Sequence, residues 1–342
     1  MSENPLNRFI DSLAGGENLS RAEAKEFLDA LLNEESTNEQ IAASLIALAD
    51  KGETAVELAG MAEAMRARAV RLPSRHRRFI DTAGTGSSRA KTFNVSTAAA
   101  FVIAAAGLPV AKHGNRAASS KCGSADVLSK LGVNVSASPE ISARCLDEVG
   151  ICFMFAPLYH GATARVAVVR RELGRQTTFN LIGPLTNPAG APRQIVGVSR
   201  RENVETMAQA LALLGTERAW VVHGEDGLDE ITLSGSTFVA ETDGGELTTF
   251  EIAPADFGYE ARPIDQLYCD GAGSSAQTIR EVLGAGRRDE ARQLVVINAA
   301  AALLVGGSAA NLREATILVE RNIDSGAALA KLEELVKATN SA

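Results

Sequence analysis

The chain has 342 residues, enough for two domains and a large buried core. An apolar content of 46% with 22% charged residues is that of an ordinary soluble globular protein, and the net charge of −8 argues against non-specific nucleic-acid binding. No apolar run reaches the roughly 20 residues of a membrane-spanning helix, so no membrane association is expected. The opening residues lack a basic stretch followed by an apolar one, so no signal peptide is expected. Cys122, Cys145, Cys152 and Cys269 show neither a CxxC nor a metal-ligand spacing, which predicts reduced, mostly buried thiols in a cytoplasmic protein.

Residues 5–70 read as helices throughout. Ser20-x-x-Glu23, Thr37-x-x-Gln40 and Thr54-x-x-Glu57 are three capping boxes, each opening an apolar-periodic segment. Gly52 closes the second of these segments in the manner of a glycine C-cap. The basic stretch Arg66 to Arg78, interrupted by Pro73, reads as a helix end plus an exposed connector. The expected division is a small all-helical domain over 1–72 and an α/β domain over 73–342.

From Phe79 onward short apolar runs alternate with helical patterns, which predicts an α/β domain with a mainly parallel sheet flanked by helices. A strand ending near Asp81 is followed by the loop Gly84-Thr85-Gly86-Ser87-Ser88 and an Ala-rich helix from Thr97 to Ala106. Strand, glycine loop and helix is an arrangement in which backbone N–H groups converge on a phosphate. Asn94, Ser96 and Thr97 place short polar groups at the helix start, with Ser96 or Thr97 the expected N-cap. A lone GTG is a weak signal. It gains weight from the next strand, Pro109–Ala111, because a parallel crossover sets the following Lys112-His113-Gly114-Asn115-Arg116 beside the first loop.

Further strands are expected at Val133–Val135, Ile151–Phe155, Gln194–Val198 and Ala219–His223, with a strand pair around Thr237–Ile252. Ser138 with Pro139 reads as a helix start. The strand at 219–223 delivers Gly224-Glu225-Asp226-Gly227-Leu228-Asp229-Glu230 to its C-terminal end. Four carboxylates in six residues suit either a solvated turn or a divalent-cation site. Long helices are expected from Ser275 to Thr339, the small-residue run around 294–307 being a buried one without evident chemistry.

These motifs resemble the anthranilate phosphoribosyltransferases of tryptophan biosynthesis. The resemblance rests on Asp81, Gly84-Thr85-Gly86, Thr92-Phe93-Asn94-Val95-Ser96-Thr97, Lys112 to Arg116 and Gly123 to Leu128. His160, Arg170, Asn180, Gly183 to Pro188 and Asp226-Gly227-Leu228-Asp229-Glu230 extend it over nearly the whole chain. The sequence departs from the family pattern at Ser87-Ser88, where Gly-Asp is usual, and at Cys122, where Ser is usual. Gly161, Thr163 and Gln176 are further departures.

The resemblance implies transfer of a phosphoribosyl group from phosphoribosyl pyrophosphate (PRPP) to the amine of anthranilate, with Mg²⁺ as cofactor. By the same resemblance PRPP is held by Gly84, Ser87, Ser88, Thr92, Asn94, Val95, Ser96, Thr97, Lys112, Ser119, Ser120 and Ser124. Anthranilate is held by Gly84, His113, Asn115, Tyr159, His160 and Arg170, and the metal by Ser96, Asp229 and Glu230. No general base is assigned; His113 or a water is the candidate to take the proton. The family also implies a homodimer formed through the helical domain, which a helical segment around 162–186 rejoins. Two rival readings differ in class. A pyrimidine nucleoside phosphorylase would not need the acidic DGLDE stretch, and a nucleic-acid-binding relative would show a basic surface and lack Asn115, His160 and Arg170.

Overall fold

The computed structural model describes residues 5–86, 88, 92–116 and 122–341. Four helices open the chain: α1 (Pro5–Ala14), α2 (Arg21–Leu31), α3 (Asn38–Lys51) and α4 (Ala55–Arg68). The three expected capping boxes form at α2, α3 and α4, each hydroxyl accepting from the backbone N–H three residues on. Gly52 closes α3 at a φ of 90°. At Gly60 an added Cβ would sit 2.4 Å from the Arg21 carbonyl oxygen, so α2 and α4 cross at a separation only glycine permits.

The remainder runs β1 (Ile80–Gly84), α5 (Val95–Ala105), β2 (Val110–Gly114), α6 (Ser124–Lys130), α7 (Pro139–Arg144), β3 (Ile151–Phe155), α8 (Ala156–Tyr159), α9 (Ala164–Leu173) and α10 (Thr178–Ile182). It continues with β4 (Arg193–Gly197), α11 (Asn203–Leu213), β5 (Arg218–Gly224), β6 (Thr237–Asp243), β7 (Glu246–Ile252) and α12 (Pro254–Phe257). Four long helices close the chain: α13 (Ala272–Leu283), α14 (Glu290–Val305), α15 (Leu312–Asp324) and α16 (Ala327–Asn340). The seven strands form one sheet in the order β3-β2-β1-β4-β5-β6-β7. The first five are mutually parallel, and β6 and β7 add an antiparallel pair.

Alternation along the strands gives the sheet two apolar faces. Ile195, Trp220 and Val222 join the core built around α5 and α14. Val196, Ala219 and Val221 point the other way, into a core they share with α11 and with α1 to α4. Val166 and Val169 of α9 and Phe179 and Ile182 of α10 lie in that second core too. Helix α5, apolar on all sides, is buried between the sheet and the C-terminal helices.

The strand expected at Val133–Val135 does not form; both valines are buried in irregular chain. Asn134 between them is tied to α16, its N–H donating to Thr339 Oγ1 and its Nδ2 to the Thr339 carbonyl, so these backbone groups face a helix and no strand neighbour. The basic connector is anchored to protein: Arg66 Nε donates to the Leu185 carbonyl, the Arg75 N–H to Asp147, and Arg78 to the Gly307 carbonyl.

Candidate active site

Strand order reverses at β1: the chain steps to β2 and β3 on one side, then to β4 and β5 on the other. A crevice at the C-terminal ends of β1 and β4 follows from that reversal. The glycine loop leaves β1 here, α5 begins here, and the loop after β5 brings in Asp229 and Glu230. The Thr85 N–H donates to the Gly197 carbonyl at 2.8 Å, and Ser199 N–H donates to Thr85 Oγ1 at 3.1 Å. Both glycine-loop bonds reach β4 and the chain that leaves it. An added Cβ on Gly197 would lie 1.6 Å from the Asp229 carbonyl oxygen, so the acidic loop sits directly on the β4 backbone.

The two carboxylates differ in their partners. Glu230 Oε1 accepts the Ser96 N–H at 2.9 Å, at the open N-terminus of α5. Asp229 is faced by the Gly86 N–H and the Ser88 hydroxyl. Ser88 Oγ also donates to the Gly227 carbonyl at 2.8 Å, tying the glycine loop to the acidic one. Burial, then the Asp229 charge beside it, pushes the Glu230 carboxyl up to about 8, and burial raises Asp229 as well. Lys112 reaches toward the same place from β2: its Nζ bonds the Thr82 carbonyl and lies 3.4 Å from Ser96 Oγ. Burial lowers the lysine's pKa against the pull of Asp81 and Glu230.

Two adjacent half-buried carboxylates beside Lys112 form a site that gains from a divalent cation. Among the described residues no group of three or more His, Cys, Asp or Glu side chains is placed to hold a metal. Asp229 and Glu230 would therefore be completed by hydroxyl, water or phosphate oxygens, a donor set that suits Mg²⁺.

A second cluster lies under the GPLTNP turn. The His113 and His160 rings approach to 5.2 Å between centroids, tilted by 60°. Burial, and then His160, pushes His113 down to about 3, and burial pushes His160 down to about 4. Both are neutral at ordinary pH. As it stands His113 is a poor proton acceptor, which counts against the base role considered for it. Beneath it, buried Asp81 accepts from the His113 N–H at 3.2 Å and from Asn187 Nδ2 at 2.7 Å. Asn187 Nδ2 also donates to the Ala111 carbonyl, so the turn is bolted to β2. Arg170 of α9 donates to Asn180 Oδ1 at 3.1 Å and lies over the Phe179 ring; its Nε has no hydrogen-bond partner among the described residues.

Other expected residues are placed differently. Tyr159 does not line an open slot: it is buried in the main core near Ser142, and burial pushes its hydroxyl up to about 12. A phenol ring gains more from that core than from a wet crevice. Asn115 is exposed, its side chain accepting its neighbour's N–H, and Ser124 Oγ donates to the Asn115 carbonyl at 3.4 Å. Val95 is wholly buried and offers only its backbone. Thr92 Oγ1 donates to the Phe93 carbonyl. Neither Ser96 nor Thr97 caps α5; Asn94 holds that position without a side-chain cap bond, and Thr97 Oγ1 is buried with no partner among the described residues. Ser87, Ser119 and Ser120 lie outside the described residues, as do Arg89 and Lys91.

Sequence reasoning missed Ser275. Its Oγ accepts the Asn94 N–H and donates to Asn94 Oδ1, both at 3.0 Å, and Cys122 Sγ lies 3.4 Å from the same oxygen. With Oδ1 so occupied, the Asn94 amide turns its donor end away from α13. Only the three-dimensional fold brings residues 181 positions apart together, and no local motif marks the serine.

A glycine loop, a helix N-terminus and paired carboxylates at a strand-order reversal fit an enzyme that binds a phosphate-bearing substrate together with a cation. Residues 76–329 match the model of the glycosyl transferase family, a/b domain, and residues 7–69 that of the same family's helical bundle domain. The chain is 50% identical to the anthranilate phosphoribosyltransferase of Moorella thermoacetica over 331 residues, 97% of each chain. It superposes with a TM-score of 0.91 on the crystal structure of the Thermus thermophilus anthranilate phosphoribosyltransferase, at 39% identity, covering 97% of this chain and 99% of that one. The Saccharomyces cerevisiae anthranilate phosphoribosyltransferase in complex with PRPP and Mg matches with a TM-score of 0.90 at 27% identity, covering 100% and 99%. The chain belongs to the anthranilate phosphoribosyltransferase family.

Proposed function

We infer that this protein transfers the 5-phosphoribosyl group of PRPP to the amine of anthranilate, giving N-(5-phosphoribosyl)anthranilate and pyrophosphate in tryptophan biosynthesis. The observation that carries the reading is the half-buried Asp229–Glu230 pair joined through Ser96 to the N-terminus of α5. A C–N bond forms at the ribose C1 while the C–O bond to pyrophosphate breaks, its electron pair leaving with the pyrophosphate. The amine proton passes to water.

Asp229, Glu230 and Ser96 hold Mg²⁺ beside the pyrophosphate. When bound, the ion neutralises the leaving group. Lys112 adds a fixed positive charge. The glycine loop, Ser88, the polar start of α5 from Thr92 to Thr97, Ser119, Ser120 and Ser124 supply donors to the phosphates. Arg170 takes the anthranilate carboxylate as a planar, two-pronged donor, and Gly84, His113, Asn115 and His160 bound the slot. An aromatic amine is unprotonated at neutral pH, so holding it in line with C1 matters more than a strong base. The protein acts in the cytoplasm as a homodimer through its helical part, where Val56 on α4 and Val168 on α9 are exposed. Among the described residues no helix is long and apolar enough to cross a membrane.

Pyrophosphate release from PRPP, measured with and without anthranilate, tests the reaction. Release that requires anthranilate and Mg²⁺ supports it, and release indifferent to anthranilate overturns it. A monomer mass in solution would overturn the dimer.

A further inference from the structure

Ile231 follows Glu230 directly, and there the acidic loop meets the long buried helix α14. Asn298 sits on that helix among Val, Ile, Leu and Ala side chains. An amide in such surroundings is costly unless its polar atoms are paired. Asn298 Oδ1 accepts the Ile231 N–H at 3.0 Å, and Nδ2 donates to the Ile231 carbonyl at 2.9 Å. Nδ2 also donates to the Leu294 carbonyl one turn back on its own helix, at 2.9 Å. One side chain thus holds both backbone groups of the residue next to Glu230, much as a strand neighbour would.

The rest of the loop explains why such a clamp is needed. Residues 225–236 contain no helix or strand. Asp226 ties the loop's two arms together, accepting from the Leu228 N–H and from the Thr232 and Ser234 hydroxyls. Asp229 and Glu230 lie on the stretch between Leu228 and Ile231, half-buried and repelling one another. A loop free to relax would separate them. Asn298 lines, together with Ser96, Asp229 and Glu230, a small cavity of about 20 Å³, so it stands directly behind the pair.

We propose that Asn298 is a positioning residue for the metal site, clamping Ile231 so that the Asp229 and Glu230 carboxylates stay side by side. It touches neither substrate nor metal. The proposal rests on the assignment of Asp229 and Glu230 as the Mg²⁺ ligands.

The test compares Asn298→Leu, similar in size but without polar atoms, with the unaltered protein. Mn²⁺ affinity is read from the free-ion electron paramagnetic resonance signal in the presence of inorganic pyrophosphate. The variant is expected to bind Mn²⁺ at least about tenfold more weakly, as for other residues that orient metal ligands, with the KM for anthranilate changed less than twofold. A folded variant with unaltered Mn²⁺ affinity and unaltered Mg²⁺ dependence of kcat would overturn the clamp. Absence of Mn²⁺ binding in the unaltered protein would overturn the ligand assignment instead. Amide hydrogen exchange on the unaltered protein gives a second reading that needs no variant. Ile231 N–H should exchange as slowly as the amides of α14, and exchange as fast as at Gly227 would refute the clamp.

Discussion

The two halves of the site are built differently. Around Asp229 and Glu230 nearly every polar group has a protein partner: Ser96 holds Glu230, Ser88 bridges two loops, Ser275 fixes Asn94 and Asn298 fixes Ile231. Around His113, His160 and Arg170 the buried nitrogens have fewer partners. Arg170 Nε has none among the described residues, and the His113 and His160 rings meet only the backbone of Gly183 and Thr186. An unpaired buried nitrogen costs stability, and a bound carboxylate would satisfy it. The first half is pre-assembled for charge; the second is arranged to be completed by a planar acid.

The largest effect should come from the assembled half. Asp229→Ala combined with Glu230→Ala is expected to lower kcat by at least about a thousandfold, since the cation contributes several kcal/mol at the transition state. Circular dichroism should be unchanged, and full turnover by this variant would refute the metal assignment. In the other half, Arg170→Ala should raise the KM for anthranilate by about 10- to 100-fold, the loss of a charge-assisted pair. The KM for PRPP should move far less, and equal changes in both would show that the two halves are not separable.

A third measurement uses pH. His160 is pushed down to about 4 from 6.5, so the unfolded chain binds a proton that the folded one refuses. The stability contributed by the neutral ring is complete above about pH 6.5 and is lost as pH falls through 4. His160→Gln should therefore flatten the dependence of unfolding free energy on pH in that window by about 1.4 kcal/mol per pH unit. An unchanged slope in urea melts would contradict a neutral buried ring.

The smallest effect is expected at Ser88, which faces Asp229 and the Gly227 carbonyl. Ser88→Asp adds a third carboxylate there and should steepen the Mg²⁺ dependence of the rate, while the unaltered protein saturates as a single binding event. The companion idea, that Lys91 compensates for the missing carboxylate, concerns a residue outside the described ones. It is checked by the PRPP affinity of Lys91→Ala.

Much of the first half was legible because its signals are local. The glycine loop, the DGLDE stretch and the capping boxes each carry their meaning within a few residues. The positions of the strands along the chain also followed from the alternation of apolar runs, except at Val133–Val135, where three residues with β-branched ends read alike whether they join a sheet or pack on a helix. What stayed hidden acts across distance. Ser275 and Asn298 belong to helices whose patterns report only burial, and nothing near them says which loop they will meet. Tyr159 illustrates the converse: its neighbourhood in sequence marks the site, yet its ring turns into the core.

The helices of residues 5–68 share their apolar core with α11 and with one face of β4 and β5. Removed from the chain, they would leave the face of α11 that packs on α4 bare and expose their own inner surface. The bundle is thus not a portable module, although the family divides there. Grafting it from a relative would require co-transplanting the facing surface of α11, and changes on either side of that seam have to arise in step.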